Sequence, residues 1–151
     1  MGRIKIPDRV RRLVAHRAHY LCEYCLIPMA YGPDPFDVEH ILPLSKGGNH
    51  YPANLANACG GCNGYKGHLI EAIDPADTKL TRLYHPRLDV WTDHFSWNDV
   101  LTHLVGLTST GRATIAALQL NRPARINLRT LLIAFGEHPP LVGLQELFAI
   151  T

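Results

Sequence analysis

Apolar residues recur at helical spacing in several stretches of the chain. Such a pattern predicts a helix over residues 7–20. In the second half it predicts helices over 110–120 and 123–135, with Gly136 ending the latter, and a last helix over about 141–148. The second half of the chain is therefore expected to be rich in α-helix.

The candidate strands are short. Alternating or apolar runs predict strands over residues 36–42, 80–84 and 94–97. Residues 52–58 are predicted to form a short helical turn, and a helical segment is predicted to follow through Lys66. The sequence thus predicts a mixed α+β fold.

The composition is that of an ordinary globular protein. Of the 151 residues, 46% are hydrophobic and 19% are charged, which argues against a disordered chain. No apolar run approaches the roughly 20 residues that a bilayer span needs, and the first residues lack the pattern of a signal peptide. We expect a cytoplasmic protein with no membrane partner.

The net charge of +2 conceals two basic segments. Residues 1–17 carry six Lys and Arg against one acid, and residues 100–136 carry four Arg and no acid. Basic patches of this kind are typical of proteins that bind a polyanion such as nucleic acid. Two solvated helix faces would give the same pattern, and charge alone leaves both interpretations open.

The four cysteines form two pairs, Cys22-x-x-Cys25 and Cys59-x-x-Cys62. This spacing aims two sulfurs at one tetrahedral ion, and two such pairs complete a closed structural zinc site. A redox pair and inert buried thiols are the alternatives. The two pairs are separated by 33 residues, more than separate the pairs of a simple zinc ribbon. A further structural element is therefore expected between them.

The residues between and around the two cysteine pairs resemble the HNH endonuclease family. The resemblance covers roughly residues 8–68 and is most similar to the zinc-stabilised branch that includes a phage junction-resolving endonuclease. The matching elements are Cys22-Glu23-Tyr24-Cys25, Glu39-His40-Ile41-Leu42-Pro43, Gly47-Gly48, Asn54-Leu55, Cys59-Gly60-Gly61-Cys62-Asn63 and Lys66.

The resemblance implies an α+β fold with a ββα-metal (His-Me finger) core, in which a hairpin and a helix surround one catalytic metal. We expect this core over residues 1–70. Residues 71–151 would form an α-rich C-terminal extension that packs on the core, so that the chain is one structural unit.

The residue types suit phosphodiester hydrolysis. His40 can be neutral at pH 7 and accept a proton from water. Glu39 and Asn63 offer hard oxygen donors for Mg²⁺ or Mn²⁺. Neighbours on a regular strand point to opposite faces, so periodicity alone does not bring Glu39 and His40 to one site; the resemblance implies that they share it.

The resemblance also implies a role for each residue. His40 is the general base, Glu39 and Asn63 are ligands of the catalytic metal, and Asn54 braces the hairpin and the base. Asn63 replaces the more familiar His, and Glu39 stands where Asp is common; both keep an oxygen ligand, so the choice between Mg²⁺ and Mn²⁺ stays open. The ligands of structural zinc would be Cys22, Cys25, Cys59 and Cys62.

Several basic residues are candidates for nucleic-acid contacts, with a solvated surface position as the alternative for each. A helix N-terminus beside Arg112 could bind phosphate, and Arg122, Arg125 and Arg129 are candidates for a stripe facing DNA. The predicted contacts are Lys66, Arg9, Arg12, Arg112, Arg125 and Arg129.

Other aromatic and histidine residues are expected to have structural rather than functional roles. Four aromatic residues could stack on bases but are expected in the hydrophobic core. His50 is expected to be a loop residue, and His94 is not expected to reach the metal centre. The four aromatic residues are Tyr84, Trp91, Phe95 and Trp97.

The sequence therefore predicts a metal-dependent endonuclease that cleaves duplex or branched DNA and leaves a 5′-phosphate and a 3′-hydroxyl, as the resemblance implies. The alternative is a non-catalytic zinc-stabilised module that binds nucleic acid. Cleavage of RNA would differ only in substrate, and the protein could be a monomer or a homodimer.

Overall fold

The computed structural model describes residues 5–140 of the chain. Within this range the strands form three separate antiparallel pairs, and a helix precedes and follows each pair. The elements in chain order are α1 (Asp8–Arg17), β1 (Phe36–His40), β2 (Leu55–Cys59), α2 (Gly60–Lys66), β3 (Glu71–Ile73), β4 (Leu80–Arg82), α3 (Trp91–His94), β5 (Phe95–Trp97), β6 (Leu104–Gly106), α4 (Ser109–Leu118) and α5 (Pro123–Ala134).

The first helix is shorter than the predicted 7–20. It ends at Arg17, and the backbone at His19 and Tyr20 has φ of 52° and 59°. This left-handed conformation cannot continue a right-handed helix. The change of direction brings the chain to the first cysteine pair at Cys22.

A hairpin followed at once by a helix forms the centre of the first half. Strand β1 pairs with β2 in antiparallel register, from Phe36 opposite Cys59 to His40 opposite Leu55. Helix α2 begins at the next residue, Gly60. This order of two strands and a helix agrees with the predicted α+β class.

The helical turn predicted over residues 52–58 is mostly wrong. Only Pro52–Asn54 forms a 3₁₀ turn, and the rest is strand β2. Every residue of β2 is buried, so the strand carries no alternation of apolar and polar residues. Pairing with β1 decides its conformation.

The second half holds two more hairpins, the short helix α3 and the longer helices α4 and α5. Strand β4 lies within the predicted 80–84, whereas its partner β3 was not predicted. The strand predicted over 94–97 is the end of α3 followed by β5. The two predicted helices correspond to α4 and α5, and Gly136 beyond α5 has φ of 72°. The helix predicted over 141–148 lies outside the described residues.

The main hydrophobic cluster joins residues of both halves. Tyr84, Trp91 and Phe95 are buried in it together with the cysteines, and Trp97 packs against it, so the expected core role of these aromatic residues is confirmed. The indole Nε1 of Trp91 donates to the carbonyl of Tyr24, at 3.3 Å. Among the described residues, no helix is long and apolar enough to cross a membrane.

Candidate functional site

The four cysteines meet at one point. Their sulfur atoms all lie within 4.8 Å of one another, and Cys25 Sγ is 3.8 Å from Cys59 Sγ. A tetrahedral zinc ion with Zn–S bonds of about 2.3 Å places its ligands about 3.8 Å apart. All four thiols are buried and none forms a disulfide. The residues present therefore fit a structural zinc ion.

The first cysteine pair is a tight turn fastened to the hairpin. The turn is closed by hydrogen bonds from Cys22 N to Ile27 O and from Leu26 N to Cys22 O, each 2.9 Å long. Glu23 N donates to Asn57 O at 2.9 Å, and Asn57 N donates to Glu23 Oε2 at 2.7 Å. Strand β2 thereby fixes the position of this pair.

The second pair spans the junction between β2 and α2. Cys59 ends the strand and caps the helix, because its sulfur accepts a hydrogen bond from Cys62 N at 3.4 Å. A helix start satisfies its free amide groups with such acceptors. The same junction therefore holds two of the four sulfurs and orients α2 against the hairpin.

Glu39 turns inward from β1 towards α2. Its side chain is buried, Tyr24 Oη donates to Glu39 Oε2 at 2.7 Å, and Lys66 forms an ion pair with Oε1. Burial raises the pKa of Glu39, and the adjacent Lys66 ammonium opposes that rise. Both carboxylate oxygens thus have a partner within the protein.

The predicted contact of Lys66 with phosphate requires correction. Its side chain is only 2% exposed, and its Nζ donates to the carbonyl of Ile41 at 3.0 Å as well as pairing with Glu39. The alternative interpretation, a helix residue exposed to solvent, is also wrong. A buried ammonium requires such partners, and here they tie α2 to β1.

His40 is half-buried and pairs with a second histidine. Its Nε2 lies 3.0 Å from His50 Nδ1, and the two rings are edge to face with centroids 5.0 Å apart. Burial lowers the pKa of His40, and the neighbouring His50 and the Lys66 ammonium lower it further. The His40 imidazole is therefore neutral at pH 7.

His50 does lie in a loop, but its contact with His40 was not predicted. The loop turns back at Gly48, where a Cβ would overlap the carbonyl of Leu42. The Gly47-Gly48 pair in the sequence is the signal for this turn. It does not reveal which later residue returns to His40.

Asn54 closes the loop that carries His50. Its Nδ2 donates to Leu42 O at 3.0 Å and to Asn49 O at 2.9 Å, and its Oδ1 accepts from Leu42 N at 2.8 Å. Side-chain bonds of this kind fix the backbone where no regular ladder does. Asn54 thus connects the segment after His40 with the segment before His50.

The two predicted oxygen ligands of a catalytic metal have separate contacts. Asn63 Nδ2 donates to Asp37 Oδ2 at 3.1 Å, whereas Glu39 contacts Tyr24 and Lys66. Within residues 5–140, only the four cysteines form a group of three or more His, Cys, Asp or Glu side chains able to hold a metal ion. Both carboxylate oxygens of Glu39 are thus engaged within the protein, and the Asn63 amide contacts a different carboxylate, that of Asp37.

The predicted stripe of arginines facing DNA also requires correction. Arg125 and Arg129 are buried; Arg125 Nη2 donates to Cys59 Sγ at 3.3 Å, and Arg129 Nη2 donates to Leu120 O at 2.7 Å. This face of α5 packs inward because its guanidinium groups meet sulfur and carbonyl acceptors there. The sequence predicted that this arginine face would be exposed, because arginine is rarely buried.

The other residues predicted to contact nucleic acid differ in whether their side chains already have a partner in the protein. Arg112 forms a two-pronged ion pair with Asp74, with Nη2 2.8 Å from Oδ2, so it is already engaged by a carboxylate. Arg9 and Arg12 are exposed on α1. His94 contacts Thr108 Oγ1 at 2.6 Å.

Comparison with known proteins identifies the class of this site. The model of the HNH endonuclease family matches residues 22–69, about a third of the chain, which confirms the resemblance seen in the sequence. This segment runs from the first cysteine pair to just beyond α2 and is similar to HNH endonuclease domains. No curated protein and no solved structure matches the chain.

Proposed function

We propose that this protein is an endonuclease that hydrolyses phosphodiester bonds of duplex or branched DNA with His40 as the general base. The observation that carries the proposal is the HNH match over residues 22–69. The hairpin and helix in that range present a half-exposed imidazole whose pKa is lowered by burial.

The paired histidines suggest how His40 takes up a proton. If His40 Nε2 carries hydrogen and donates it to His50 Nδ1, the lone pair of His40 Nδ1 is free to accept a proton from water. The resulting hydroxide attacks phosphorus and the bond from phosphorus to the 3′-oxygen breaks. That oxygen takes up a proton from water, and His40 returns its proton to solvent. The products carry a 5′-phosphate and a 3′-hydroxyl.

His50 and Asn54 are positioning residues in this proposal. His50 holds one tautomer of His40 through the 3.0 Å contact, and Asn54 holds the loop that brings His50 there. Such support matters because a base misplaced by about 1 Å loses much of its effect.

The requirement for Mg²⁺ or Mn²⁺ rests on the family resemblance. Glu39 and Asn63 are the ligands that the resemblance assigns, but their contacts within the protein are separate. The four cysteines are proposed to hold structural zinc, which stabilises the position of the hairpin and α2.

The alternative function is a zinc-stabilised module that binds nucleic acid without cleaving it. It is favoured by one observation, the engagement of Glu39 with Lys66 and Tyr24 rather than with an open metal site. In this case the exposed Arg9 and Arg12 would contact phosphates.

Incubation with supercoiled plasmid and with branched DNA, each with EDTA, Mg²⁺ or Mn²⁺, separates the two functions. The endonuclease proposal predicts nicked products that depend on the cation and have 5′-phosphate ends. A gel shift of the same substrates with no product in any cation would contradict it and support the binding module.

A further inference from the structure

Two arginines from outside the HNH segment reach the sulfur atoms of the cysteine site. Arg125 Nη2 donates to Cys59 Sγ at 3.3 Å. Arg122 Nη2 donates to Cys59 Sγ at 3.6 Å, and its Nη1 donates to Cys62 Sγ at 3.7 Å. Both residues belong to the start of α5, Arg122 as its N-cap residue and Arg125 in its first turn.

The position of Arg122 is fixed by other groups. Its Nη1 also donates to Gln119 O at 3.1 Å, and its guanidinium lies 5.6 Å from the ring centroid of Tyr65, within the range of a cation–π contact. Gly61 leaves the space that Arg122 uses, because a Cβ there would lie 2.5 Å from Arg122 Nη2. Arg125 is itself 4% exposed.

Charge explains why guanidinium groups lie here. Four thiolates and one Zn²⁺ together carry a charge of −2, and a buried charge is costly unless it is compensated. Two guanidinium groups supply +2 at hydrogen-bond distance. Each N–H···S bond also withdraws electron density from a thiolate, which weakens it as a nucleophile and fixes it for the metal.

We propose that Arg122 and Arg125 are part of the zinc site. They neutralise the charge of the four thiolates, slow the release of zinc and protect the sulfurs from electrophiles. The metal site then consists of four ligands from residues 22–62 and two hydrogen-bond donors from α5. This proposal does not depend on nuclease activity.

Zinc release tests the proposal directly. The zinc-loaded full chain and the variants Arg122→Gln and Arg125→Gln are mixed with an excess of a chromogenic chelator. Loss of outer hydrogen-bond partners typically weakens a metal site 10–100-fold, so zinc should transfer about tenfold faster or more from each variant. The matched control is Arg129→Lys in the same helix, since Arg129 donates to Thr102 O and Leu120 O.

Two further measurements exclude general destabilisation. In the Co²⁺-substituted protein, the sulfur-to-cobalt charge-transfer band should move to lower energy in Arg122→Gln, because the thiolates become better electron donors. Arg122→Lys should restore part of the shift. Gly61→Ala should reproduce it with every cysteine and arginine retained, because the added Cβ displaces the Arg122 guanidinium.

The outcomes are distinct. Faster zinc release and a shifted cobalt band in Arg122→Gln and Gly61→Ala, with the control unchanged, support the proposal. Unchanged release and an unchanged band in these two variants overturn it, as does an equal acceleration in Arg129→Lys. Should Arg125→Gln fail to fold, the half-exposed Arg122 and Gly61 still decide the question.

Discussion

Lys66 of α2 and Glu39 of β1 form an ion pair in the interior, with both side chains 2% exposed. The other oxygen of Glu39 accepts a hydrogen bond from Tyr24 Oη at 2.7 Å, and Lys66 Nζ donates to Ile41 O at 3.0 Å. The residues on either side of His40, Glu39 and Ile41, are thus attached to α2, and Glu39 also to the first cysteine pair.

Replacing Lys66 by methionine should destabilise the fold strongly. The substitution leaves the carboxylate of Glu39 buried without a counter-charge, which typically costs about 3–5 kcal/mol. Urea unfolding of the zinc-loaded chain measures the change in free energy. The double variant Lys66→Met/Glu39→Gln should regain part of the loss; a single variant within about 1 kcal/mol of the parent would contradict the buried pair.

The ion pair between Arg112 and Asp74 predicts a dependence of stability on pH. Arg112 and the backbone amide of Ala76 hold the pKa of Asp74 below its usual range. The stabilisation is therefore present above the usual aspartate pKa of about 3.9 and is lost as the pH falls through the lower pKa of the folded state.

The midpoints of urea unfolding at neutral pH and at about pH 3 test this prediction. The parent should lose more stability on acidification than Asp74→Asn, which has already lost the ion pair. Asp99→Asn, at an exposed position, serves as the control and should behave like the parent. An identical response of the parent and Asp74→Asn would show that the pair contributes nothing.

The cysteine site predicts one zinc ion per chain. Elemental analysis of the purified protein should find it, and prolonged exposure to a strong chelator should unfold the chain cooperatively, because binding energy of a structural zinc ion is folding energy. Cys62→Ser removes one ligand and should release zinc readily. A zinc-free chain with an unchanged circular dichroism spectrum would refute a structural zinc site.

His50→Ala should change the tautomer of the His40 imidazole while leaving His40 itself in place. Long-range ¹H–¹⁵N spectra at about pH 8 should place the hydrogen of His40 on Nε2 in the parent and on a mixture of nitrogens in the variant. Cleavage should slow, though by less than in a variant without His40. Identical ¹⁵N shifts of His40 in the two proteins would remove His50 from the proposal.

The cysteine site and the longer helices could be predicted from the sequence because their signals are local. Two cysteine pairs at fixed spacing specify a tetrahedral site without knowledge of the rest of the fold. Apolar periodicity likewise placed α4 and α5 and their ends within a few residues. The HNH signature in residues 22–69 was equally local.

The charged contacts could not be predicted because they depend on which elements pack together. Lys66 and Arg125 are residue types that usually face solvent, and only the packing of α2 and α5 gives them buried partners. The same holds for Glu39, whose carboxylate suggested a metal ligand until its neighbours Tyr24 and Lys66 were known. Strand β2 lacked a pattern because it is buried on both faces.

The most direct test of the proposed function is the single-turnover rate of plasmid nicking by the parent and by His40→Ala at equal zinc content and equal folding. A general base contributes about 10²–10⁴-fold, so the variant should lose that much of its rate, while His103→Ala, at an exposed histidine, should match the parent. A His40→Ala variant that cleaves as fast as the parent would contradict the role of His40 and the mechanism built on it.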